Sequence, residues 1–171
     1  MDTRLPGRTC PGPRPGTVKE TKEAKYMANY NTTVSSPKSP EEAFDYLADF
    51  SNAPEWDPNT TSSKCVEGEP GEVGSRYEVV TEFGGREMEL IYETIEVDRP
   101  RKVVLQSGNS STEIRDTMTF KPTATGTEVT YDANVAPKGL TKLIDPILTL
   151  MFKRVGDRAA DGLRETLGAK N

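Results

Sequence analysis

The sequence has no histidine among its 171 residues. This absence excludes Ser-His-Asp and Cys-His catalysis, general acid–base chemistry by histidine, and the usual histidine-containing zinc and non-haem iron sites. We therefore expect neither a metal nor a cofactor. Any catalysis would have to rely on carboxyl, phenol or guanidinium groups.

Cysteine and long apolar stretches are also scarce. Cys10 and Cys65 could form one disulfide, but so few cysteines are more typical of a reduced, cytosolic chain. No apolar run approaches the ~18 residues of a transmembrane helix, and the N-terminus lacks the apolar core of a secretory signal. We expect a cytoplasmic protein.

The net charge of −5 argues against non-specific binding to nucleic acid or to an anionic membrane surface. The charge is unevenly distributed, because residues 1–26 carry six Lys/Arg and three Asp/Glu, and the rest is acidic. We expect no nucleic-acid partner and no stable membrane insertion. The sequence leaves the oligomeric state open.

Residues 1–28 are rich in proline, glycine and charge and poor in apolar side chains. Such a segment cannot bury enough surface to offset the entropy of ordering, so it is predicted to be a disordered tail. Met27 is an alternative natural start of the chain. Residues 29–168 are predicted to form a single domain.

That domain begins with a predicted strand, Asn29–Ser36, followed by two short helices. Ser39, Pro40 and Glu42 have the spacing of a capping box with proline at the first helical position. The second helix is predicted around Pro54–Trp56.

Six strands joined by turns are predicted next. They are Ser62–Glu67, Ser75–Phe83, Arg86–Asp98, Lys102–Ser107, Glu113–Lys121 and Thr127–Val135. Gly84-Gly85 is typical of a two-residue hairpin loop. The alternation of apolar residues shifts by one position between Tyr92 and Ile95, which predicts a β-bulge.

The segment from Leu140 to Leu167 carries apolar residues at a three-four spacing, which predicts a long amphipathic helix. Pro146 divides it into a lead-in, Leu140–Ile144, and a main body. Gly156 and Gly162 weaken the main body and either permit close packing or leave volume for a ligand. The lead-in is predicted to lie with Trp56 at the mouth of a cavity, as a lid.

These elements predict an α+β fold, in which a curved antiparallel sheet of about seven strands wraps around the long C-terminal helix. One helix does not easily fill a strongly curved sheet. Either large side chains fill the interior or a cavity remains, and such a cavity is the default ligand site.

The stretch SPEEAFDYLADFSNAPEWDP, residues 39–58, resembles the N-terminal signature of the SRPBCC superfamily, also called START-like or helix-grip. It is most similar to the polyketide cyclase/dehydrase and lipid-transport branch. The resemblance continues at Gly71–Tyr77, Asp98-Arg99-Pro100, Gly126–Tyr131 and Asp145-Pro146. It implies a helix-grip fold with a hydrophobic cavity between the sheet and the long helix. It implies no particular reaction, because the superfamily includes carriers, cyclases, oxygenase domains and partner-binding proteins.

The candidate ligand-binding residues are the only tryptophan, the inward stripe of the sheet and one face of the long helix. Each could equally be plain core. The candidates are Trp56, Tyr77, Val79, Phe83, Met88, Leu90, Tyr92, Met118, Phe120, Tyr131, Ile147, Met151, Phe152 and Val155.

Asp116 and Tyr92 are weak catalytic candidates. Asp116 shares a strand face with Ile114 and Met118, so an inward orientation would bury its carboxyl group and require a donor such as Arg76 or Arg86. An exposed position near a strand end is the favoured interpretation. Paired glutamates such as Glu87 and Glu89 are interpreted as solvated strand faces, without a metal.

The favoured function is the non-covalent binding or transport of a small hydrophobic or amphipathic molecule, such as a lipid, an isoprenoid or a polyketide-like aromatic. One alternative is a cyclase, aromatase or dehydratase that uses Tyr, Asp or Arg for proton transfer. Another is a module that binds a protein partner through its sheet surface.

Overall fold

The computed structural model describes residues 28–110, 112–137 and 146–168. The predicted tail, apart from Ala28, and the predicted lead-in Leu140–Ile144 lie outside these residues. The strands are β1 (Ala28–Ser36), β2 (Thr60–Glu67), β3 (Arg76–Phe83), β4 (Arg86–Asp98), β5 (Lys102–Gly108), β6 (Thr112–Thr123) and β7 (Gly126–Pro137). The helices are α1 (Pro40–Ala48), α2 (Ala53–Trp56) and α3 (Pro146–Thr166), and a 3₁₀ turn, Phe50–Asn52, precedes α2.

The seven strands form one antiparallel sheet in the order β1-β7-β6-β5-β4-β3-β2. β1 returns to pair with β7, so the first and last strands of the chain are neighbours. The sheet is curved and open, and the helices cover its inner face. The predicted α+β helix-grip fold is therefore confirmed.

Helix α1 begins at the predicted capping box. The Glu42 backbone N–H donates to Ser39 Oγ at 3.2 Å, and the Ser39 N–H donates to Glu42 Oε2 at 2.9 Å. These two bonds satisfy donors that a helix N-terminus leaves unpaired. They direct Phe44 into the core, where its ring meets Phe120 edge-on at 5.2 Å between centroids.

Two local predictions in the sheet are also confirmed. Gly84 and Gly85 form the two-residue connection between paired Phe83 and Arg86, and both have the positive φ of a type I′ hairpin turn. The register between β4 and β5 shifts between Thr94 and Glu96, at the predicted bulge. Because of the extra residue, the apolar side chains before the bulge, such as Tyr92, and those after it, such as Val97, both point to the inner face of the sheet.

Helix α3 starts at Pro146. Proline is well tolerated at this position, because the N–H groups of the first helical turn have no intrahelical partner and the missing N–H of proline therefore costs no hydrogen bond. Its 21 residues span about 30 Å. Both glycines are sites of close approach. A Cβ on Gly156 would lie 2.3 Å from the Tyr30 ring, and one on Gly162 would lie 2.1 Å from the Trp56 carbonyl oxygen.

Two features are absent within the ranges given above. None of the helices there combines the length and apolar character needed to cross a bilayer. No three Cys, Asp or Glu side chains there come together as a set of metal ligands.

We expect Gly162→Ala to destabilise the protein by about 1–3 kcal/mol, because the new methyl group must displace the Trp56 backbone. The gain in helix propensity, about 1 kcal/mol, opposes this loss. Urea denaturation measures the difference. Glu165→Ala, at an exposed position of the same helix, is the control and should stay within about 0.5 kcal/mol of wild type. A Gly162→Ala protein as stable as this control would contradict the close contact.

Candidate functional site

Two adjoining cavities lie between the inner face of the sheet and α3. The inner cavity has a volume of about 110 Å³ and contains Asp116 in its wall. The outer cavity, about 240 Å³, lies toward the strand ends at Ala28 and Gly108. Both cavities are lined by Phe83, Met88, Leu90, Ile114, Val135 and Phe152. The six shared residues place the two cavities side by side in one largely apolar region, and we refer to the pair as the joined cavities.

The structure brings most of the sequence-predicted ligand-binding residues to this space. The inner cavity is lined by Trp56, Val79, Phe83, Met88, Leu90, Tyr92, Tyr131, Phe152 and Val155. Three of the others, Tyr77, Met118 and Phe120, are packed in the core and are not among the lining residues of either cavity. Met151 lies beside Gly84 instead. The side chain of Ile147 lies outside the described residues.

Other lining residues were missed by the sequence analysis. Ala133 and Val135 alternate with Tyr131 on β7, and Ile114 shares its face with Asp116, so strand alternation could have identified them. Gly156 lines the inner cavity only because α3 packs closely on β1 there. The sequence analysis offered close packing or ligand volume at this glycine, but it could not identify the strand that the glycine contacts.

The expectation that Asp116 is exposed near a strand end was wrong. Asp116 lies within β6, opposite Leu105 of β5 and Ala133 of β7, and is only 3 % exposed. Because β6 continues to Thr123, Asp116 is not at the end of the strand. Residues of α3 and Trp56 lie across the inner cavity from it, on the side of the sheet that is shielded from solvent.

The expected arginine partners of Asp116 were also wrong. Arg76 pairs instead with Glu67 and Glu93 on the surface. The donors to Asp116 are the hydroxyl groups of Tyr92 and Tyr131. Tyr131 reaches it from the adjacent strand β7, and Tyr92 reaches it from β4, two strands away.

Burial raises the pKa of Asp116 from 3.8 to about 7. The two tyrosine hydrogen bonds lower this pKa and the negative charges of Asp57 and Asp132 raise it, so burial decides the direction. Burial, followed by the charge of Asp116, raises the pKa of Tyr131 well above 10, and the same causes act on Tyr92. The phenols therefore remain donors, while the carboxyl group changes its protonation state near neutral pH.

Asp57, directly after α2, contributes a second carboxylate to the inner wall. Its Oδ1 accepts from the Asn59 backbone N–H at 3.0 Å and from Asn59 Nδ2 at 2.7 Å, and its Oδ2 accepts from Thr60 Oγ1 at 2.8 Å. Asn59 Nδ2 also donates to the Val155 carbonyl oxygen at 3.0 Å. This network fixes the segment after α2 against α3.

Trp56 is buried inside the domain, only 1 % exposed, so its predicted position at a cavity mouth was wrong. Its ring meets Tyr131 edge-on at 5.7 Å and Phe50 at 6.0 Å. Its Nε1 has no hydrogen-bond partner in the described part of the chain. Buried indole N–H groups usually have one, so this unpaired donor in the cavity wall is a candidate contact for a ligand.

Comparison with known families gives one decisive match. Residues 27–168 match the family model described as polyketide cyclase / dehydrase and lipid transport. The chain belongs to this family. The match covers the sheet, the helices and both cavities, and it confirms the sequence-based resemblance. No curated protein is similar enough in sequence to serve as a relative.

Solved structures share the fold of this family member at low sequence identity. A START superfamily protein from Mycobacterium smegmatis has a TM-score of 0.67 at 16% identity, covering 82% of this chain and 97% of its own. The Zhui aromatase/cyclase from Streptomyces sp. R1128 has a TM-score of 0.64 at 12% identity, and the match covers 81% of this chain and 90% of its own. A major latex-like protein from Panax ginseng has a TM-score of 0.61 at 17% identity, and the match covers 81% of this chain and 94% of its own. These similarities show the fold alone.

We expect the stability of this family member to fall between pH 5 and pH 8 because of Asp116. Its folded-state pKa is raised above 3.8, so the folded protein holds a proton that the unfolded chain has released, and this contribution is lost as pH rises through about 7. The loss between pH 5 and 8 is about 2–3 kcal/mol by linkage.

Urea denaturation at the two pH values, with wild type and Asp116→Asn, measures this contribution. The variant should lose the corresponding part of the pH dependence and gain stability relative to wild type at pH 8. Glu89→Gln, at an exposed position on the outer face of β4 between the inward-facing Met88 and Leu90, is the control. Parallel pH profiles for wild type and Asp116→Asn would contradict the raised pKa.

Proposed function

We propose that this protein binds a small amphipathic molecule in the joined cavities. The apolar part of the ligand lies against β3, β4 and α3. Its polar end lies in the inner cavity, beside Asp116, Tyr92 and Tyr131. The binding is non-covalent and fits carriage or sequestration of a lipid, an isoprenoid or a polyketide-like aromatic.

The observation that carries this proposal is a buried polar cluster in an otherwise apolar cavity. Asp116, Tyr92 and Tyr131 are each less than 10 % exposed, yet all three line the inner cavity. Isolated polar groups in an apolar interior are unfavourable unless they are paired. A few such groups in an apolar pocket are also what fixes the orientation of a ligand. The family description, which includes lipid transport, is consistent with this function.

We expect at least one member of a panel of fatty acids, isoprenoids and aromatic polyketides to shift or quench the Trp56 fluorescence. Trp56 is the sole tryptophan and lines the inner cavity. Ala133→Leu should weaken binding about tenfold or more, because its additional carbon atoms occupy the inner cavity.

Ala136→Leu is the matched control, since Ala136 lies on the same strand but on the opposite face from Ala133. Its affinity should remain within about twofold of wild type. Calorimetry of both variants excludes an optical artefact. If no panel member binds, or if both variants weaken binding equally, the cavity is not the ligand site.

A second function is favoured by the ionisation of Asp116. A carboxyl group with a pKa of about 7 can both donate and accept a proton at neutral pH, which suits a general acid or base. Held by two tyrosines in the wall of the inner cavity, it could protonate a carbonyl or departing hydroxyl group during cyclisation of a poly-β-ketone. This is the cyclase alternative derived from the sequence.

For this alternative we expect a linear poly-β-ketone thioester to cyclise faster with the protein than without it. Asp116→Asn should reduce the rate by about 10²–10⁴-fold while retaining binding, because a general acid is lost. The wild-type rate should fall above pH 7 as Asp116 loses its proton. Glu89→Gln, on the exposed outer face of β4, should keep the rate. Mass spectrometry of the products follows the reaction, and a variant as fast as wild type excludes Asp116 as the acid.

A further inference from the structure

We infer that the cavity selects against anionic ligands and takes molecules whose inner end is a neutral oxygen group or an amine. An alcohol, a ketone or an ester is therefore preferred to the corresponding carboxylate. This inference rests on the proposed binding function and specifies the chemical class of its ligand.

The first argument is the sign of the fixed charges. The inner cavity has two carboxyl groups in its wall, Asp57 and Asp116. Among the described residues that line the two cavities there is no lysine or arginine. Lys153 of α3 is turned outward and pairs with Asp157. A ligand carboxylate would lose its hydration and gain no cationic partner from the described lining residues, which is strongly unfavourable.

The second argument is the supply of donors. Trp56 Nε1 is buried, unpaired in the described part of the chain and belongs to a residue of the cavity wall. An indole N–H can only donate, so it requires an acceptor such as a carbonyl, ether or hydroxyl oxygen. The protonated form of Asp116 is a further donor, and its ionised form is an acceptor for a ligand hydroxyl or ammonium group.

The groups facing Asp116 determine how this selectivity changes with pH. They are Tyr92 from β4, Tyr131 from β7 and Asp57 after α2, and β1 adds Tyr30 at the cavity wall. From α3, the described lining residues are Phe152, Val155, Gly156 and Ala159, none of them titratable. The raised pKa of Asp116 places its change of charge near neutral pH, and discrimination against anions should strengthen as it ionises.

Three probes of equal aromatic size test the inference: 2-naphthol, 2-naphthoate and 2-naphthylmethylammonium. Calorimetry at pH 8 should give at least about tenfold tighter binding for the alcohol and the ammonium than for the carboxylate. At pH 5.5 the difference in affinity between the alcohol and the carboxylate should narrow, because Asp116 is then protonated. Asp116→Asn should narrow this difference in affinity at pH 8, whereas Glu89→Gln, which removes a charge from the exposed outer face of β4, should preserve it.

Trp56→Phe provides a second variant that keeps an aromatic ring and removes the N–H donor. It should weaken binding of 2-naphthol several-fold. Equal affinity of wild type for naphthol and naphthoate at pH 8 would overturn the inference while leaving the binding function intact. If these three probes and every member of the lipid, isoprenoid and polyketide panel fail to bind, the proposed function is overturned, and this inference with it.

Discussion

This structure depends on one constraint: a curved sheet of seven strands has to be covered by one long helix and two short ones. The inner face of the sheet must be shielded from water, and α3 is the principal element that lies along it. Two glycines let α3 approach closely, Gly156 at the Tyr30 ring and Gly162 at the Trp56 carbonyl. Gly162 lines neither cavity, whereas Gly156 and Tyr30 border the inner one. Where the sheet curves away toward the β3–β4 hairpin, a helix of this diameter leaves the joined cavities.

The same coverage determines the chemistry of Asp116. A carboxyl group in the middle of β6 would be unremarkable on the outer face of the sheet, where Asp132 makes hydrogen bonds to Asn29 and Asn31. On the inner face it is removed from water, and two phenols replace only part of the lost hydration. The charge of Asp57 opposes ionisation further. The fold therefore maintains an acid that changes state near neutral pH, at a cost to stability that a ligand or a reaction would explain.

Local rules of sequence predicted much of this fold. The capping box at Ser39, the Gly84-Gly85 turn and the bulge near Ile95 each depend on a few neighbouring residues, and each is present. The inward stripe of β3 and β4 followed from alternation in the same way. The position of Asp116 did not, because alternation places it on a face without indicating which elements cover that face. Its partner Tyr92 comes from β4, with β5 between the two strands. Such a pairing depends on the curvature of the sheet, which no local pattern encodes.

Binding and catalysis make different demands on this one cluster. A carrier needs Asp116, Tyr92 and Tyr131 only to match the hydrogen bonds of a guest, and it gains most when the carboxyl group stays in one protonation state. A proton-transfer enzyme needs that group to change state during each turnover. A pKa of about 7 suits the second demand better than the first, whereas the narrow inner cavity and the unpaired Trp56 donor suit the first. Both demands are compatible with an uncharged ligand oxygen beside Asp116. The charge of the ligand is therefore constrained whether the protein carries the ligand or converts it.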